Sequence, residues 1–176
     1  MTTQTAPALR DDAALGAPAL DGTGSEPRQF ISFKVGQEEY AIDILSVREI
    51  KGWTQTTTLP NQPEFVLGVM NLRGAIVPVF DLRCRFGLGL TQATPTHVVI
   101  IVTALNRVIG LLVDAVSDIL TVNAEEIRAV PDTERDRAGT EFLTGIIAVN
   151  DGMVVLLSLE ALFGATVIAK SGAMAA

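Results

Sequence analysis

Gly68-Val69-Met70-Asn71-Leu72-Arg73-Gly74-Ala75-Ile76-Val77-Pro78-Val79-Phe80-Asp81-Leu82-Arg83-Cys84-Arg85-Phe86-Gly87 reads as a β-hairpin running straight into a capped helical turn. Two apolar, β-branched runs, Val66 to Leu72 and Ala75 to Phe80, flank Arg73-Gly74, the mark of a tight turn. Pro78 has no N–H to give to a ladder, which points to an edge strand or a bulge. Asp81 is placed to cap a short helix over Leu82 to Phe86, with Gly87 as its stop.

Downstream the same grammar returns. Phe65-x-x-Gly68, the hairpin and Asp81-Leu82-x-x-x-Phe86-Gly87 recur as Phe142-x-x-Gly145, a second hairpin and Ser158-Leu159-x-x-x-Phe163-Gly164. The offset is a constant 77 residues. Upstream, an offset of 69 lays Ala41-Ile42 over Gly110-Leu111, and Val47-x-Glu49-Ile50 over Val116-x-Asp118-Ile119. So many agreements in register imply an internal duplication, with a period too long for a solenoid repeat and suited to one small barrel per copy.

The remaining β signals fit that frame. Phe30 to Val35 and Tyr40 to Ile44 alternate around Gly36-Gln37-Glu38, and Val98 to Thr103, Val108 to Val113 and Ala115 to Val122 are β-branched runs. Ile146 to Val149 and Met153 to Leu157 flank the turn Asn150-Asp151-Gly152, and Ser158 can cap a helix over Leu159 to Phe163. Residues 1–27, rich in Ala, Thr, Pro, Gly and Asp without sustained periodicity, read as a disordered tail, and 169–176 as a short flexible end. The expectation is an all-β domain over 28–168, two duplicated five-stranded barrels of about 60 residues each, side by side with short capping helices.

Composition narrows the function. A net charge of −7 with 13 scattered Lys and Arg disfavours a nucleic-acid surface, which needs clustered cations. The single cysteine, Cys84, can form neither an internal disulfide nor a thiolate metal cluster, and the only histidine, His97, has nothing local to make it a catalytic partner. Glu38-Glu39 are neighbours on a strand and point to opposite faces, so they cannot act as an acid–base pair. Asp43 and Asp114 fall at strand ends, where turn chemistry accounts for them. No phosphate loop, metalloprotease, nucleophile-elbow or CxxC pattern occurs. No secretory leader is visible, and the longest apolar run, Val98 to Val102, is far short of the roughly 20 residues of a membrane helix. The reading is a non-enzymatic cytoplasmic protein with no cofactor, metal or nucleic-acid partner and no direct membrane insertion. Two features call for more than a structural role: Val47-Arg48-Glu49-Ile50, where charge interrupts an apolar stretch, and Asn71-Leu72-Arg73-Gly74, where an arginine on a rigid hairpin can anchor a carboxylate or carbonyl of a partner.

At these residues the chain resembles the CheW family of bacterial chemotaxis coupling proteins. The matching text includes Glu38-Glu39-Tyr40-Ala41-Ile42-Asp43-Ile44-Leu45, Val47-Arg48-Glu49-Ile50, the run Gly68 to Arg83, Val113 to Leu120 and Phe142-Leu143-Thr144-Gly145, with NLRG its most specific element. The resemblance covers about residues 28–165 and implies two SH3-like five-stranded barrels. It also implies an adaptor linking chemoreceptor tips to the regulatory domain of the histidine kinase CheA, held at the inner face of the membrane through receptor arrays. Val47, Glu49, Asn71, Arg73, Val98, Val99 and Val116 match receptor-binding positions, and Arg128 matches a kinase-binding position. The duplication makes Val116 the counterpart of Val47, so both copies are expected to supply one apolar lip of a groove. The charged loop Pro131 to Gly139 and the long N-terminal tail depart from the family pattern. Two alternatives remain: a CheW-like adaptor of a non-flagellar chemosensory pathway, and a small-ligand-binding barrel, for which barrels this small leave little room.

Overall fold

In Arg28–Val35 (β1) and Glu38–Asp43 (β2), apolar residues dominate the buried positions and Gly36, at φ +64°, makes the turn between them. The strand expected to run to Ile44 stops at Asp43, whose carboxylate accepts the Leu45 amide and caps a 3-10 turn over Ile44–Ser46. There follow β3 (Val47–Gly52), β4 (Val66–Leu72), β5 (Ala75–Asp81), α1 (Leu82–Arg85), β6 (Val98–Ala104), β7 (Arg107–Val113), β8 (Ala115–Val122), a 3-10 turn over Ala124–Glu126, β9 (Ile127–Arg128), β10 (Leu143–Val149) and β11 (Gly152–Leu157). A last helix, α2, covers 159–164, with Ser158 Oγ accepting the Ala161 amide. This is a computed structural model describing residues 26–132 and 140–164. The expectations for most of the 1–27 tail, for 169–176 and for the charged loop at 133–139 lie outside the described residues.

The strands form two sheets, ordered β8-β1-β2-β11-β10-β9 and β3-β6-β7-β5-β4. Under the repeat, β1 to β5 correspond to β6, β7, β8, β10 and β11. The two orders then become identical, apart from the added β9, once the hairpins β1–β2 and β6–β7 change places. Register agrees in detail: Val79 faces Gly110 across a parallel ladder as Leu156 faces Ala41. Ladder shifts fall at Val66/Gly68 and at Leu143/Gly145. The corresponding strands are not laid out as consecutive barrels. Each sheet takes its opening hairpin from one copy and its remaining strands from the other, an exchange of elements within one chain. The cause is local: only Asp114 separates β7 from β8, and one 3-10 turn separates β2 from β3. Links so short leave no room to reverse within a sheet, so the chain passes straight into the neighbouring one.

Where two five-stranded barrels were expected there are one six-stranded and one five-stranded sheet, and neither closes through hydrogen bonds between its first and last strands. In the five-stranded sheet the edges still curl together. Thr57 bridges to Val69 of β4, and Glu49 of β3 meets Arg73 at the end of β4. Apolar side chains fill three places. Phe30, Val122, Ile147, Val154 and Leu156 line the inner face of the six-stranded sheet, and their counterparts Val99, Trp53, Met70, Val77 and Val79 line the other. The third and largest core, with Phe33, Phe80, Leu111, Leu162 and Phe163, lies between the sheets and locks them into one unit.

Pro78 sits in neither an edge strand nor a bulge. It lies in β5, between β7 and β4, facing Val69. The Val69 amide and carbonyl both bond to Thr57, so this is the non-hydrogen-bonded type of pair and the proline nitrogen points toward β7. The parallel ladder with β7 starts only at Val79, so the missing N–H costs no bond.

Candidate functional site

The Asn71-Leu72-Arg73-Gly74 turn is rigid for reasons carried in its own residues. Arg73 and Gly74 adopt left-handed backbone at φ 51° and 88°, the pattern of a two-residue hairpin loop. Asn71 Oδ1 accepts the Gly74 amide at 2.8 Å. Asn71 is thus occupied in making the turn, and Arg73 projects from it. β3 alternates half-buried and exposed residues, with Val47, Glu49 and Lys51 inward and Arg48 and Ile50 outward. The curl of the sheet brings the two elements together, and an Arg73 guanidinium nitrogen lies 2.8 Å from a Glu49 carboxylate oxygen. Arg73 is 80% exposed and Glu49 22%, so the carboxylate is seated while the cation stays presented to solvent.

Two aliphatic side chains of the same sheet are about half exposed: Ile50, on the outward face of β3 opposite to Glu49, and Ile76 on β5. The sequence reading missed both. The alternation of β3 carries the signal for Ile50, since a strand with Glu49 half-buried turns its neighbour outward.

Val47, Val98 and Val116 are half-buried and pack against the same inter-sheet core. Val47 faces Val102 in the ladder, and Val116 faces Phe33, the counterpart of Val102. The two valines thus occupy the same place in the two sheets. Val99 does not join them. It is fully buried in the inner core of the five-stranded sheet, where its side chain supports the strand and is closed to a partner. Arg128 is exposed on two-residue β9, an edge strand of the six-stranded sheet, whereas the Glu49–Arg73 pair belongs to the five-stranded one.

Other titratable groups are used structurally. His97 accepts the Thr94 amide at Nδ1 and holds Asp114 through Nε2 at 3.4 Å, while Asp114 accepts the Gly36 amide and so ties the two sheets. Buried Asp81 accepts from the Cys84 amide and from both the amide and hydroxyl of Thr91, capping α1 and pinning the following loop. Tyr40 packs on Phe33 and Phe86, and burial, followed by the charge of Glu38, pushes its phenol up from 10.0. Burial, then Asp81 and Glu64, push the Cys84 thiol up from 9.0, the opposite of what activates a nucleophile. Among the described residues no group of three or more His, Cys, Asp or Glu side chains is placed to hold a metal ion, and no helix is long and apolar enough to cross a membrane.

Comparison with known proteins adds the context. The CheW-like domain matches residues 29–167. The chemotaxis protein CheW of Rhizobium meliloti is 44% identical over 136 residues, covering 77% of this chain and 87% of that protein. The chemotaxis protein CheW of Klebsiella aerogenes is 44% identical over 135 residues, covering 77% and 81%. The crystal structure of the scaffolding protein TtCheW from Thermoanaerobacter tengcongensis superimposes with a TM-score of 0.72 at 34% identity, covering 80% of this chain and 95% of that one.

Proposed function

The chain belongs to the CheW-like domain family, and from that premise we propose that it is a non-enzymatic adaptor coupling the cytoplasmic tips of chemoreceptors to the regulatory domain of the histidine kinase CheA. The observation that carries the receptor half is the Glu49–Arg73 pair, which joins a rigid hairpin to the edge strand β3 and presents its cation to solvent. Receptor tips are helical, and a helix docking on a sheet surface takes affinity from aliphatic anchors and register from oriented charges. Val47, Val98 and Val116, half-buried against the inter-sheet core, supply apolar surface to this contact, while Val99 stays buried in the inner core of the five-stranded sheet. Arg128, on an edge strand of the six-stranded sheet, is the candidate kinase contact, on a different sheet from the Glu49–Arg73 pair. Each curled sheet acts as an SH3-like barrel, and the protein works in the cytoplasm at the inner face of the membrane, held there by the receptors.

The experiment is calorimetric titration of the chain with the regulatory domain of a CheA from the same cell, then with a receptor-tip fragment. One-to-one binding to both, with the kinase domain still binding after the receptor site is saturated, supports the coupling role. Absence of binding to every CheA homologue of that cell refutes it.

A further inference from the structure

The duplication supplies an internal control for a second surface. In the five-stranded sheet, Glu49 is held by Arg73, and the sheet's inner face behind this pair is filled by Ile101 and Val108. The corresponding positions of the six-stranded sheet are Asp118 for Glu49, Asn150 for Arg73, Ser32 for Ile101 and Glu39 for Val108. The carboxylate is kept and its cation is gone. Smaller and polar residues stand where the plug was, and an open groove of about 350 Å³ remains beside the β10–β11 turn. Asp151, in place of Gly74, adds a third carboxylate to the lining, which includes no lysine or arginine. Asp118 Oδ1 accepts the Ile119 amide at 2.8 Å, and Ser32 Oγ clamps the Asp118 backbone at 3.1 and 3.2 Å. The side chain is therefore oriented. Among the described residues Glu39, Asp118 and Asp151 enter no ion pair, and Lys34, opposite Glu39 in the ladder, does not reach it.

The rim repeats the other half of the pattern. Met153 takes the place of Ile76, lines the groove and is 68% exposed. We propose that this groove is a docking socket for an arginine on a partner protein, which supplies in trans the guanidinium that Arg73 supplies in cis on the other sheet. Three carboxylates around one groove select a cation, and the planar guanidinium fork suits a carboxylate already fixed at one oxygen. The exposed rim decides between a protein and a free cation. Aliphatic side chains flanking the arginine cover Met153, which free arginine or a polyamine leaves in water. The lining of the socket shares no residue with the receptor and kinase contacts above, and the proposal does not depend on that reading.

The test is amide NMR on the full chain titrated with N-acetyl-Leu-Arg-Leu-amide, with the Leu-Gln-Leu peptide as control. The expected result is shifts gathered at Asp118 and Asn150 to Met153 for the arginine peptide alone. Binding should be about tenfold weaker in the Glu39→Gln/Asp118→Asn double variant, the loss of one charge-assisted contact. Asn150→Arg should form the ion pair with Asp118 internally and abolish peptide binding; should that variant misfold, the double variant still decides. Shifts elsewhere, or shifts unchanged by the double variant, overturn the proposal. Equal affinity for N-acetyl-arginine-amide reassigns the groove to a free cation. Self-association in sedimentation that Asp118→Asn abolishes reassigns it to a second copy.

Discussion

Replacing Arg73 by alanine separates a recognition role from a structural one, because the structure predicts opposite sizes for the two effects. Alanine carries the same Cβ as arginine, so the left-handed backbone at φ 51° is no more strained than before, and the Asn71–Gly74 bond that sets the turn is untouched. What disappears is an ion pair whose cation is 80% exposed. Solvent screens such pairs, and their loss costs about 0.2–1 kcal/mol, which for a chain of this size lowers Tm by no more than roughly 4 °C. Binding responds differently. If a receptor helix covers the pair, Arg73 becomes desolvated, and removing one member of a desolvated charge pair costs about 2–5 kcal/mol, a loss in affinity of roughly 30-fold or more. The assay is calorimetric titration of wild type and Arg73→Ala against one receptor-tip fragment, beside thermal melts of both proteins. A double-mutant cycle with Glu49→Gln should show coupling in the binding energy well above the coupling in Tm. Unchanged affinity, or a fall in Tm of about 10 °C, would refute the reasoning, since the first removes the contact and the second makes Arg73 a structural residue.

The other predictions rest on separate features of the fold. A Cβ at Gly68, where φ is 137°, would lie 2.2 Å from the Thr57 carbonyl oxygen, so Gly68→Ala should cost about 2–4 kcal/mol and lower Tm by roughly 5–15 °C; a Tm within about 2 °C of wild type would mean that β4 and the Thr57 segment can part freely. Because each sheet needs strands from both copies, fragments divided between residues 96 and 97 should each be unfolded by circular dichroism and gain β structure only when mixed; an independently folded half would contradict the exchanged hairpins. The raised Cys84 pKa means less thiolate at any pH below it, so alkylation by iodoacetamide at pH 8 should be slower than for free cysteine, with its pH profile displaced above 9.0; a displacement downward would refute the influence of Asp81 and Glu64.

Much of the fold was legible because its determinants are local. Turn residues such as Arg73-Gly74 and Asn150-Asp151 set backbone φ within a few bonds. Asp81 and Ser158 find their amide partners three residues on, and alternation reports one buried face. The 77- and 69-residue offsets carry the ladder pair Val79–Gly110 onto Leu156–Ala41. Pro78 shows where this kind of reading ends. Its rule concerns a lost N–H, and whether that N–H faces a neighbour depends on where a parallel ladder with a distant strand begins.

The same boundary runs through the site. Sequence alone determined most of the strands, the hairpins, the rigid turn carrying Arg73 and the equivalence of Val47 and Val116, all matters of short range or of internal register, while the two-residue β9 escaped it. Only the tertiary structure decided which copy each hairpin serves, that Val99 is buried while Ile50 and Ile76 are exposed, and that Glu49 and Arg73 touch. Those outcomes depend on the curl of a sheet and on links too short to turn back, which bring together residues that the chain itself keeps far apart.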